Sequence, residues 1–146
     1  MAIEIILLSL LLLAATIVVH YETLRLVSAR IDRKVGASRA RLFVVLVFAL
    51  CSHLVHVFLY AIAYQLIGWQ DGFGTIKGGD GSFADAFYFS ITSYTTLGIG
   101  DLYPTEAIRL LSGVEALNGL VMVGWTASFT YLTMERFWNL GDDNTD

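Results

Sequence analysis

Cysteine and proline are almost missing, at one of each in 146 residues. A lone cysteine, Cys51, excludes a disulfide scaffold and any metal site built on paired cysteines. A lone proline, Pro104, excludes a proline-rich linker. Charge is scarce as well: Asp, Glu, Lys and Arg make up 15% of the chain, too little to clothe a water-soluble globule of this size. No phosphate-binding glycine loop, catalytic triad or basic nucleic-acid surface is present, so the sequence reads as a non-enzyme without an organic cofactor or a nucleic-acid partner.

What the chain does have is apolar length. Hydrophobic residues make up 56% and the mean hydropathy is +0.66. Residues 5–19 and 42–66 contain no Asp, Glu, Lys or Arg, and residues 110–134 contain only Glu115. A hydrocarbon core of about 30 Å takes roughly 20 residues of helix, so the second and third runs span it, and the first spans once residues 1–3 join it. The first run lacks the basic start of a cleavable signal peptide, Glu4 being its only early charge, and continues through His20 to Arg25 without a helix breaker. A retained peripheral transmembrane helix over residues 1–27 is expected.

Six of the nine basic residues, Arg25, Arg30, Arg33, Lys34, Arg39 and Arg41, fall between the first and second runs. The positive-inside rule puts that link in the cytoplasm, so a multi-pass protein of the cell membrane is expected with its N-terminus outside and its C-terminus cytoplasmic. The link can also attract anionic membrane lipids. Residues 68–109 then lie outside, where Asp71, Asp80, Asp85, Asp101 and Glu106 outnumber Lys77 and Arg109 and raise the local concentration of cations. Trp69 and Trp138 fall at the two interface depths and read as anchors.

The external stretch divides in two. Residues 68–82 hold six glycines and read as a flexible, wet turret. Residues 83–94 are mostly apolar, with Ser82 as N-cap and Asp85 three residues on in the capping-box position. A helix of that length reaches only about 18 Å, too short to cross, so it dips in and returns. Such a segment is tolerated only where its non-helical continuation is buried in protein or faces a water-filled cavity.

That continuation is Thr95-Thr96-Leu97-Gly98-Ile99-Gly100-Asp101. Glycines at alternate positions can take positive φ, which lets an extended strand turn all its carbonyls one way. The segment, with the short helix before it and a span on either side, closely resembles the signature of tetrameric pore-loop potassium channels. The resemblance covers residues 42–138 as an ion-channel pore domain with pore helix 83–95 and filter 96–101, the whole of 1–146 forming one membrane domain. It implies an all-α membrane protein of three transmembrane helices plus a re-entrant pore helix, assembled as a homotetramer around a central pore. It also implies potassium bound by the backbone carbonyls of Thr96, Leu97, Gly98 and Ile99 and by the Thr96 hydroxyl, with Thr95, Gly100, Asp101, Tyr88 and Phe89 supporting the filter. A weakly selective cation channel and a non-conducting membrane scaffold are the alternatives.

The departures from the family pattern are local. Ile99 stands where the family carries an aromatic residue, and Phe89 stands at one of the positions that would brace it. An apolar contact between Phe89 and Ile99 is expected to replace that brace, while Tyr88 can still reach Asp101. In the third span, Gly119 and Gly124 are candidates for a gating bend or for close packing, and Asn118 either projects into the cavity or hydrogen-bonds to a neighbouring helix. His53 and His56 share one face of the second span at about the depth of Glu115 in the third. They are expected to form either an interhelical hydrogen-bond cluster or a pH-sensitive gate. No further strong ligand is evident at that depth, so a metal site is not expected. Eight residues follow Trp138, so gating is expected from the membrane part, a lipid, pH or a separate regulatory subunit.

Overall fold

The computed structural model describes residues 2–34 and 38–142. The side chains of Arg33, Lys34, Arg39 and Trp138, and the tail residues Asp143 and Asp146, lie outside the described residues. The order is α1 (Ala2–Lys34), α2 (Ser38–Gly68), β1 (Ile76–Lys77), α3 (Phe83–Tyr94), β2 (Tyr103–Pro104) and α4 (Ile108–Asp142). Three segments are long and apolar enough to cross a membrane, Ile3–Arg30, Ala40–Gly68 and Ile108–Glu135. Only 28% of the most apolar window of each is buried within the chain, which leaves broad apolar surface for lipid or further subunits.

α1 outruns the expected 1–27 and lies antiparallel against α2. Val27 meets Val45 at one end, His20 meets Ser52 midway, and Ile5 joins the cluster of Tyr64 and Ile67 at the other end. α3 sits between α2 and α4, with Ala86 and Phe89 packed among Tyr60, Tyr64, Ile108 and Leu111. Ser82 caps it as expected, its Oγ accepting from the Asp85 amide at 3.3 Å. Asp85 reaches back beyond the usual capping-box partner, its Oδ2 accepting from Asp80 N at 2.7 Å and Gly81 N at 3.0 Å.

The glycine-rich stretch is not the loose turret its composition suggests. β1 pairs antiparallel with β2, Ile76 opposite Pro104 and Lys77 opposite Tyr103. Thr75 N donates to Thr105 Oγ1 at 2.8 Å and Thr105 N donates to Thr75 O at 3.0 Å. Gly74 and Gly78, at φ +93° and +106°, bring the backbone so close to the Thr105 and Asp101 carbonyls that a Cβ at either position would overlap them. The glycines serve close approach here, and the stretch is stitched to the segment that leaves the filter candidate.

Candidate functional site

α3 ends at Tyr94, and the chain then loses helical geometry in a regular way. Thr95 N donates to Ile91 O at 3.0 Å and Thr96 N to Ser93 O at 2.9 Å, closing the last turn. Beyond it, Thr96, Gly98 and Gly100 have φ of +59°, +53° and +89°. Positive φ thus recurs at every second residue, and it includes a threonine, for which that conformation costs of order 1–3 kcal/mol. Gly98 N donates back to Thr92 O at 3.2 Å, tying the segment to the helix end. Leu97 and Ile99 are 62% and 59% exposed within a single chain.

Two supports were expected for this segment. Tyr88 lies near enough to Asp101 for the carboxylate to push its phenol above the ordinary value. Phe89 behaves differently. It is 5% exposed and packs its ring at 5.1 Å and 73° against Tyr64, on the face of α3 that also carries Ala86. The expected apolar brace therefore leaves most of the Ile99 side chain uncovered in one chain. The reason is that Phe89 and Ala86, three residues apart, share the α3 face that packs on α2 and α4.

The third-span candidates differ in their packing. Gly119 lies against the end of α3, where a Cβ would collide with the backbone oxygen of Tyr94. Gly124 has open space around it. Asn118 is buried and does not project into a cavity. Its Nδ2 donates to Thr16 Oγ1 at 2.8 Å and reaches Tyr60 Oη at 3.4 Å, joining α4 to α1 and α2.

The midplane group divides into two. Glu115 is buried and accepts from Tyr64 Oη and Ser90 Oγ, each at 2.5 Å, so its carboxyl links α2, α3 and α4. His53 and His56 have other partners. His53 Nδ1 lies 2.8 Å and His56 Nδ1 2.9 Å from Tyr94 Oη, while His53 Nε2 lies 2.9 Å from Thr126 Oγ1. The grouping of the two histidines with Glu115 as one hydrogen-bonded unit is corrected accordingly, because a common depth does not fix the direction in which each side chain leaves its helix.

The residue that joins them is His20, on α1, which sequence reasoning missed. Its Nδ1 lies 3.2 Å from Ser52 Oγ and its Nε2 3.1 Å from Thr126 Oγ1. Ser52 Oγ in turn lies 3.4 Å from His56 Nε2. Ring nitrogens of all three histidines fall within 4.8 Å of one another. The expectation that no third strong ligand stands at this depth is thereby overturned. The available signal was the antiparallel hairpin: His20 lies as far before Gly36 as Ser52 lies after it.

With this geometry in place, the comparisons are specific. A family profile described as "Ion channel" matches residues 42–136, the stretch that holds α2, α3, the alternating segment and most of α4. The inward rectifier potassium channel Kirbac3.1 of Paramagnetospirillum magnetotacticum is 35% identical over 85 residues, covering 58% of this chain and 28% of that protein. The chain thus matches little more than a quarter of that relative's length. No solved structure matches the chain.

Proposed function

Because the chain belongs to the ion-channel family, we propose that four copies assemble around one axis into a potassium-selective pore, with residues 96–101 as its filter. The observation that carries this reading is the recurrence of positive φ at Thr96, Gly98 and Gly100, directly after a 12-residue helix lodged between two spans. A strand alternating in this way can turn the carbonyls of Thr96, Leu97, Gly98 and Ile99 to one side, and four such strands replace the hydration shell of a monovalent cation. The C-terminal end of α3 adds partial negative charge facing the cavity below. The name of the potassium-channel relative supports potassium as the ion. One chain carries one strand, so a monomer cannot form the rings. The uncovered Leu97 and Ile99 side chains are suited to burial against the neighbouring subunit.

The pore reads as lying in the cell membrane with the filter mouth outside and both the basic link and the C-terminal end of α4 in the cytoplasm, following the positive-inside rule. A weakly selective cation pore is the second reading. It is favoured by Ile99, which lacks a hydrogen-bonding group and is 59% exposed in the chain. Reconstitution into liposomes under a potassium gradient tests conduction, and flux abolished by Gly98→Ala at unchanged insertion assigns it to this segment. A sealed vesicle with the parent protein refutes the channel reading.

A further inference from the structure

Three histidines on two helices, and three hydroxyls on three, form a closed circuit behind the filter. In order it runs Ser52, His20, Thr126, His53, Tyr94, His56 and back to Ser52, with edges of 3.2, 3.1, 2.9, 2.8, 2.9 and 3.4 Å. Each of the six ring nitrogens is used once and each hydroxyl twice. A neutral imidazole supplies one N–H and one lone-pair nitrogen, and a hydroxyl donates one proton while accepting others. Six protons therefore fill six edges, and the circuit closes only when every member donates once and accepts once around the ring. Whichever way it runs, the lone-pair nitrogen of each imidazole accepts from one hydroxyl while its other nitrogen donates to a different hydroxyl, so an ion bound at the three lone pairs replaces three O–H···N bonds.

With those three bonds replaced, the three imidazoles offer the donor set of a metal centre, and the hydroxyls that accept from their other nitrogens form its supporting shell. A ligating imidazole characteristically donates its second ring N–H to an oxygen acceptor that fixes its tautomer and orientation. Here each of the three imidazoles has such an acceptor of its own. Three nitrogens no more than 4.8 Å apart lie at most about 2.8 Å from their common centre. Metal–imidazole bonds of about 2.0–2.1 Å need each nitrogen to move inward by roughly 0.7 Å, within reach of small side-chain rotations.

We propose that His20, His53 and His56 bind a single transition-metal ion per chain, copper(I) in preference to zinc. Imidazole suits both ions. The preference follows from charge. The ligands are neutral and no carboxylate or thiolate hydrogen-bonds within the circuit, so the bound ion keeps its charge in a low-dielectric setting. The penalty for burying an ion rises with the square of its charge, which favours the monovalent ion. Cys51, next to Ser52 in sequence, is exposed and takes no part. Occupancy ties the first span to Tyr94, the last residue of α3, and so to the residues that begin the filter. The inference does not depend on conduction, because its readout is metal content.

The test strips the purified full-length channel with chelator and equilibrates it anaerobically with copper(I) under ascorbate, or separately with zinc. Desalting and elemental analysis then give metal per chain. About one copper per chain is expected in the parent and in Cys51→Ser, and at least a tenfold loss in His20→Phe eluting as the same oligomer. Thr126→Val, which removes an oxygen acceptor and leaves the ligands, should weaken retention by roughly 10–100-fold. Retention of zinc but not copper overturns the preference for the monovalent ion. Retention of neither, or equal retention in His20→Phe, overturns the site. Should His20→Phe fail to assemble, X-ray absorption of the metal-loaded parent decides: a light-atom shell at about 2.0 Å with the outer-shell scattering of about three imidazole rings supports the site, and a sulfur shell or the absence of imidazole scattering overturns it.

Discussion

Replacing Glu115 by alanine and by glutamine separates the physical roles of the buried carboxyl. In the parent, Tyr64 Oη and Ser90 Oγ each contact it at 2.5 Å, and among the described residues the Tyr64 hydroxyl has no other hydrogen-bond partner. Alanine strands the buried Tyr64 hydroxyl, at about 1–3 kcal/mol. Ser90 loses less, because Val57 O still accepts from it at 2.8 Å. The missing side chain also leaves a cavity where α2, α3 and α4 meet, adding about 1 kcal/mol, for a total of roughly 3 kcal/mol. Glutamine keeps the shape. Its oxygen accepts from Tyr64, and its N–H donates to Ser90 Oγ, freeing the serine proton for Val57 O. Its cost should stay below about 1 kcal/mol. At roughly 2–4 °C per kcal/mol for chains near this size, alanine lowers the melting temperature by on the order of 10 °C and glutamine by only a few degrees. The assay is loss of the oligomer peak in detergent after stepped heating. Glutamine melting at or below alanine would refute the hydrogen-bond argument.

The remaining expectations address the filter and its supports. Gly98→Ala, at φ +53°, places a Cβ where the conformation disfavours one, and should abolish current while surface labelling shows normal membrane insertion. Gly119→Ala should disturb the α3–α4 contact through the Tyr94 carbonyl and cut oligomer yield or current severalfold, whereas Gly124→Ala, with open space around it, should leave both near the parent. Tyr88→Phe removes the hydroxyl that interacts with Asp101, so conduction should decline more steeply at low potassium than in the parent, measured by flux at two potassium concentrations.

The elements visible in the sequence were those set by local run length and spacing. The apolar runs marked the spans, Ser82 and Asp85 marked the start of α3, and the spacing of Gly98 and Gly100 marked the segment of alternating positive φ after it. Features that depend on the direction around a helix were not visible. Depth alone grouped His53, His56 and Glu115, yet the histidines meet Tyr94 and Glu115 meets Ser90. Phe89 stands at a bracing position in the family pattern, but it faces Tyr64. His20 depended on the α1–α2 register, which no local pattern encodes. The glycine-rich stretch looked loose because composition carries no information about its partner, the 103–105 segment.

The central claim is that residues 96–101 form a potassium-selecting filter, and the reversal potential of the reconstituted channel between potassium and sodium solutions tests it most directly. The account predicts a reversal potential close to the potassium equilibrium potential in the parent and no current with Gly98→Ala. A reversal potential near zero with equal potassium and sodium on opposite sides, or current unchanged in Gly98→Ala, would contradict it.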